Sequence, residues 1–232
     1  MNSMKLFLET IVVVATLILG GISFTQDDWQ NLTPNHLFEG WEIKNGYAPY
    51  RLENEVVIGT TIQNSPNTFL CTKQHFEDFI LEFEVLIDST INSGVQFRSN
   101  SLPEFNEGQV HGYQAEIDPS SRAWSGGIYD EGRRGWLFDL KKNAQGRKAF
   151  KNGVWNHYRI EAIGNHLAIW VNGINTANLM DNKTSSGFIG LQVHSIGNSQ
   201  EDGKEIKWRK LRILTENLEA NRTKTTIQLK KV

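Results

Sequence analysis

Two-residue alternation of apolar and polar side chains, interrupted by turn-forming pairs at intervals of about ten residues, is the feature that most restricts what this chain can become. Phe79, Leu81, Phe83, Val85 and Ile87 share one face of an extended segment, with Ile80, Glu82, Glu84 and Leu86 on the other. Tyr158, Ile160 and Ala162 alternate with Arg159 and Glu161, and Leu167, Ile169 and Val171 with Ala168 and Trp170. Gly164-Asn165 stands between these two runs, and both residues tolerate the positive φ of a tight hairpin. Asn45-Gly46, Asn152-Gly153 and Asn172-Gly173 mark further turns, and extended segments fit 52–61, 94–99, 112–118, 126–129, 187–194 and 205–214. Many short strands without helical periodicity predict an all-β chain, a sandwich or barrel and not a βαβ fold.

The ends and the composition set further bounds. Residues 1–26 place Lys5 before the apolar run 11–19, then small residues, which is the order of a secretory signal peptide. The apolar run is shorter than the roughly 20 residues of a membrane-spanning helix, and Asp27 and Asp28 follow. The expectation is therefore a cleaved leader and export to a periplasmic or extracellular site, with an uncleaved anchor as the alternative. Residues 27–218 are expected to form one β domain, and 219–232 a frayed tail or a last edge strand. The lone Cys71 closes no intrachain disulfide and reads as a small buried apolar residue. With 24 basic and 26 acidic residues, the formal charge of -2 gives no electrostatic footprint for nucleic acid.

Three strands break the bland pattern in the same way. Gln96 and Arg98 fall opposite Val95 and Phe97; Gln114, Glu116 and Asp118 fall opposite Tyr113, Ala115 and Ile117; Gln192 and His194 fall opposite Leu191 and Val193. Solvated strand faces are usually Lys, Thr, Ser and Glu. These carry amides, carboxylates, a guanidinium and an imidazole, groups with directional hydrogen bonding. If the strands lie side by side, the groups form one site. The segment 130–153, charged and holding Trp136 and Phe138, reads as a long loop at its rim. The histidines show no metal-ligand spacing. Glu116-Ile117-Asp118 invites comparison with retaining β-glucanases, whose strand carries Glu-x-Asp-x-x-Glu, but Ser121 stands where the last carboxylate belongs.

An ordered set of motifs carries a wider resemblance. Leu37-Phe38-Glu39-Gly40-Trp41, residues 78–84, 92–99 and 112–118, Ser125-Gly126-Gly127-Ile128-Tyr129, residues 152–156, Trp170-Val171-Asn172-Gly173 and residues 187–194 together resemble the 3-keto-disaccharide hydrolase domain. The resemblance implies a concanavalin-like jelly roll of two antiparallel sheets, and cleavage of glycosides already oxidised at C3 by elimination at C1 and hydration. Glu116 or His194 would then take the C2 proton, and Arg98 or a bound divalent metal would stabilise the enediolate. Gln96, Gln114, Asp118 and Gln192 would hold hydroxyls, and Tyr129, Arg133, Arg134 and Trp136 would form the rim. No cofactor is fixed, and the partner expected is a carbohydrate. The alternative is a non-catalytic carbohydrate-binding or laminin-G-like adhesion module built on the same fold.

Overall fold

The computed structural model describes residues 28–232, so the expected leader lies outside the described residues. Among them, sixteen strands form two sheets. In chain order they are β1 (Gln30–Asn31), β2 (Trp41–Asn45), β3 (Tyr50–Glu53), β4 (Val56–Thr60), β5 (Thr68–Thr72), β6 (Phe79–Ile87), β7 (Ser93–Asn100) and β8 (His111–Ile117). The second half supplies β9 (Ile128–Glu131), β10 (Gly135–Phe138), β11 (Asn156–Ile163), β12 (His166–Val171), β13 (Ile174–Met180), β14 (Phe188–Val193), β15 (Glu205–Leu214) and β16 (Lys230–Lys231). One sheet runs β16-β13-β12-β11-β6-β15-β4-β3 with β1 beside β15, and the other runs β10-β9-β8-β7-β14-β5-β2. The result is a β-sandwich, antiparallel but for one edge pair, which is one of the two architectures that the alternation and turns allow and the one that the resemblance implies.

The inward faces are the ones the period dictates. Phe79, Leu81, Phe83, Val85 and Ile87 of β6 meet Val95, Phe97, Tyr113, Ala115, Ile117, Leu191 and Val193 of the opposite sheet in one apolar core. Phe83 stacks on Tyr158 with ring centroids 5.1 Å apart. Each fully buried side chain of this size contributes roughly 1.5–3 kcal/mol relative to exposure, which sets the sandwich without any disulfide. Cys71 is buried, as expected.

Three local expectations change. The segment 52–61 is not one strand: Asn54 and Glu55 adopt φ of 49° and 61° and split it into the β3–β4 hairpin. The segment 130–153 is not wholly a loop, because the β9–β10 hairpin occupies its start and a 3-10 turn, Gly146–Lys148, its later part. The tail, left open between fraying and pairing, pairs: β16 lies parallel to β13. On its way it crosses the outer face of the first sheet, where the Thr223 N–H donates to Glu161 at 2.8 Å and Asn178 Nδ2 donates to the Ile227 carbonyl at 2.7 Å. No helix among the described residues is long and apolar enough to cross a membrane.

Candidate functional site

The second sheet turns its other face outward, and half of that face is roofed. Val110 packs with Phe69, Cys71 and Phe188 in a small apolar cluster, and Asn45 holds the covering segment by accepting from the Val110 N–H at 2.9 Å. The uncovered half is a cleft of about 450 Å³ lined by Asn67, Asn92, Gln114, Glu116, Asp118, Arg122, Tyr129, Glu131, Trp136, Gln192 and His194. Larger hollows lie elsewhere. One of about 800 Å³ on the first sheet holds Glu82 paired with Arg159 and Arg212, and Glu84 paired with Arg209 and Lys210, so its charges are spent on one another.

Register explains why distant segments meet here. Gln192 pairs with Phe69, Leu191 with Val95 and Gly94 with Glu116, so Phe69, Gln192, Gly94 and Glu116 form one row across β5, β14, β7 and β8. Asn67, His194, Asn92 and Asp118 each sit one residue beyond an end of these strands and line the same cleft. Strands lie about 4.8 Å apart, so the backbones carrying Glu116 and His194 stand about 10 Å apart, a gap that one hexose ring with its hydroxyls fills. Gly94 floors this gap. A Cβ there would come within 2.3 Å of Gln114 Cδ, which lies across the glycine. Gly94→Ala is therefore expected to expel Gln114 from its place beside Glu116, to cost about 1–3 kcal/mol in urea unfolding, and to raise the Glu116 pKa; NMR titration of the carboxyl checks the last point.

The electrostatics differ from group to group. Burial raises Glu116 to about 7, against donors from Asn92 at 2.8 Å and Gln114 at 3.1 Å and the Arg122 guanidinium at 3.4 Å. The Gln114 donor belongs to a chain: Ser99 Oγ donates to Gln96 Oε1 at 2.8 Å, Gln96 Nε2 to Gln114 Oε1 at 2.7 Å, and Gln114 Nε2 to Glu116 Oε2. Burial also acts on Asp118 but is outweighed by Ser120 and by Arg122 Nε at 2.7 Å, so this carboxyl sits below its usual range. Burial lowers His194. Its Nδ1 donates to the Ser195 carbonyl at 2.6 Å, which in the neutral ring leaves the lone pair on Nε2. Glu131 is raised by burial, with Asn67 opposing at 3.3 Å. Asn67 also accepts from the Ser195 N–H, so one amide ties the two ends of the cleft together. Trp136 meets Tyr129 edge-on at 5.2 Å, and the Arg122 guanidinium lies 4.8 and 5.1 Å over Trp124 and Trp136.

The structure thus brings together Gln114, Glu116, Asp118, Gln192, His194, Tyr129 and Trp136, and sends four expected residues elsewhere. Arg98 is a correction. The β7–β8 register shifts between Phe97 and Asn100, Arg98 adopts φ 45°, and the bulge turns its side chain to the other side of the sheet. There it is 1% exposed and donates to the carbonyls of Glu77, Gly164 and Ala162 and to Asp78. Arg133 and Arg134 also leave the rim: both grip the buried Asp130, and Arg134 binds Asp181 as well. Gln96 is buried beneath the cleft, one link below Gln114. Four lining residues were not foreseen. Asn92 and Glu131 share the parity of Gly94 and Tyr129 one step past the expected strand ends, a signal that longer strands would have caught. Asn67 and Arg122 sit in loops, where alternation says nothing. Among the described residues no three His, Cys, Asp or Glu side chains gather as metal ligands. Glu116 and Asp118 are already capped by N–H donors, so the residues do not fit the divalent ion left open above.

Comparison with known proteins agrees with this architecture. A family model described as a 3-keto-alpha-glucoside-1,2-lyase-like domain matches residues 28–214. No curated protein matches the sequence. Among solved structures, a Bacillus subtilis protein with a galectin-like fold superposes with TM-score 0.59 at 10% identity, over 80% of this chain and 94% of that one. The carbohydrate-binding module CBM66 from Bacillus subtilis gives 0.55 at 18%, over 74% and 93%. A protein named provisionally as a glycosyl hydrolase, from Parabacteroides distasonis, gives 0.55 at 21%, over 80% and 98%. At these identities the likeness is one of fold.

Proposed function

The chain belongs to the 3-keto-alpha-glucoside-1,2-lyase-like domain family, and on that premise we propose that it cleaves 3-keto-glycosides by removing the C2 proton, eliminating the C1 substituent and hydrating the product. The observation that carries the reading is the pair facing each other across the cleft. His194 is held below its ordinary 6.5, with its open nitrogen as a base, while Glu116 is held up to about 7 and keeps a proton to give. A C3 ketone acidifies the C2–H bond. His194 Nε2 takes that proton, and the bonding pair moves onto the C3 oxygen. The pair then returns to form the C1=C2 bond as the C1–O bond breaks, and Glu116 protonates the departing oxygen. Water adds across C1=C2, hydroxyl to C1 and proton to C2. The route needs one base and one acid and no second carboxylate nucleophile, which suits a strand carrying Ser121 where a glucanase has glutamate. Asp118 stays ionised, holds Arg122 against the mouth, and so keeps the Trp136 wall in place for the leaving group.

Incubating the protein with a 3-keto-glucoside bearing a chromogenic aglycone tests this directly. Release of aglycone supports it, and no release across α- and β-linked keto-glycosides overturns it. The binding-module reading draws on the same amide-rich floor and predicts affinity for the sugar with no release. The pH profile adds an independent check. The base works above its own pKa, which lies below 6.5, and the acid works until it deprotonates at about 7, so kcat/KM is expected to peak between the two and to fall about tenfold per pH unit above 8. A plateau extending to pH 9 would remove Glu116 from the acid role.

A further inference from the structure

With Arg98 outside the cleft and Arg122 committed to Asp118 and Glu116, the group that receives negative charge on the C3 oxygen must be sought among the remaining donors. Gln192 is 0% exposed and lines the cleft, yet among the described residues neither its Nε2 nor its Oε1 has a hydrogen-bond partner. Its row explains this: Phe69 on one side offers only an apolar ring, and on the other Gly94 has no side chain while the Gln114 amide folded over it is spent on Gln96 and Glu116. Ser93 reaches only the main-chain carbonyl of Gln192, at 2.7 Å. A fully buried amide with both ends unpaired is costly, and of the buried polar atoms without partners among the described residues only those of Gln192 line the cleft.

We infer that Gln192 is a catalytic residue whose Nε2 donates to the C3 carbonyl oxygen of a 3-keto-glycoside while its Oε1 accepts from the adjacent C4 hydroxyl. The inference rests on the function proposed above. A ketone oxygen only accepts, so it takes the amino end; a vicinal hydroxyl donates to the other end, and the two ends of one amide match that neighbouring pair. Because the amide is enclosed at the base of the cleft, it admits single projecting oxygens that part the side chains above it, not a ring face. The Nε2 bond strengthens as the C2 bonding pair moves to the C3 oxygen, which is where a donor accelerates the step. Gln192 sits in the row of Glu116 and two residues from His194, so the donor, the acid and the base address C3, C1 and C2 of one ring.

The test compares wild type, Gln192→Met and Gln192→Glu on two probes: a 3-keto-glucoside with a chromogenic aglycone, and its C1-deoxy analogue, which has no leaving group but exchanges its C2 proton with D₂O. Gln192→Met is expected to lose about 100-fold in kcat and in C2 exchange, with its thermal midpoint kept or raised because a buried amide without partners is gone. Gln192→Glu should lose as much only above the pH at which its carboxyl ionises: buried without donors, the neutral acid still donates to the ketone oxygen, whereas the carboxylate repels it. Should a variant fail to fold, the wild type decides: the infrared stretch of the C3 carbonyl in the bound C1-deoxy analogue is expected at lower frequency than in water. An active wild type with Gln192→Met within threefold of it, or an unshifted carbonyl, overturns the inference and leaves the proposed function standing. A wild type that neither releases aglycone nor exchanges the C2 proton overturns both.

Discussion

Replacing His194 by alanine is expected to lower kcat for aglycone release by about 100- to 10,000-fold, the range for loss of a general base. The ring is fixed by its own Nδ1 bond to Ser195 and lies at the edge of the cleft, just past the end of β14. Its removal should therefore leave the core intact, and thermal midpoints should move little. Glu116→Gln separates the two roles. An acid that protonates a departing oxygen matters most when that oxygen is a poor leaving group, so the glutamine variant should be severely impaired on an alkyl 3-keto-glucoside and only mildly on a nitrophenyl one. His194→Ala should impair both equally, because proton abstraction at C2 precedes departure in either case. If the dependence on leaving group appears in the histidine variant instead, the two assignments exchange. If both variants match wild type, the chemistry lies elsewhere.

Arg98→Met is expected to destabilise the fold by about 3–5 kcal/mol, the cost of removing one partner from a buried, hydrogen-bonded charge. The guanidinium of β7 reaches across the sandwich to three carbonyls and a carboxylate at the start of β6 and the β11–β12 turn. Methionine fills the volume and satisfies none of them. Lysine restores a charge but not the planar fork that serves four acceptors, so Arg98→Lys should recover only part of the loss. Urea unfolding measures both. Whatever fraction of either variant remains folded should bind sugar normally. A methionine variant as stable as wild type but inactive would return Arg98 to the chemistry.

The cleft is legible in the sequence where Arg98 is not. Alternation alone placed Gln114, Glu116, Gln192 and His194 on one face, because an unbroken ladder ties side-chain direction to residue parity. It failed at Arg98, where a single bulge between Phe97 and Asn100 reverses parity and nothing in Phe97-Arg98-Ser99 marks it. The hairpin at Asn54 and Glu55 was hidden for a related reason, since neither residue is glycine and both nonetheless take positive φ. Arg133 and Arg134 were misplaced because their partner Asp130 alternates inward, a buried carboxylate that composition does not reveal. Arg122 became legible only once the loop that carries it was folded against β8, because its position depends on Asp118 and two tryptophans from separate segments.

The Ser99–Gln96–Gln114 chain has a property that a single donor to Glu116 would lack. Ser99 Oγ also lies 3.2 Å from the main-chain carbonyls of Phe97 and Tyr113, so its hydroxyl has somewhere else to point. With Glu116 protonated, turning both amides end for end would let the carboxylic acid donate to Gln114 and end the sequence of bonds on a backbone oxygen. Each protonation state can thus find partners along the same track, so a buried carboxyl can change its charge by the turning of two side-chain amides while the strands that carry them stay where they are.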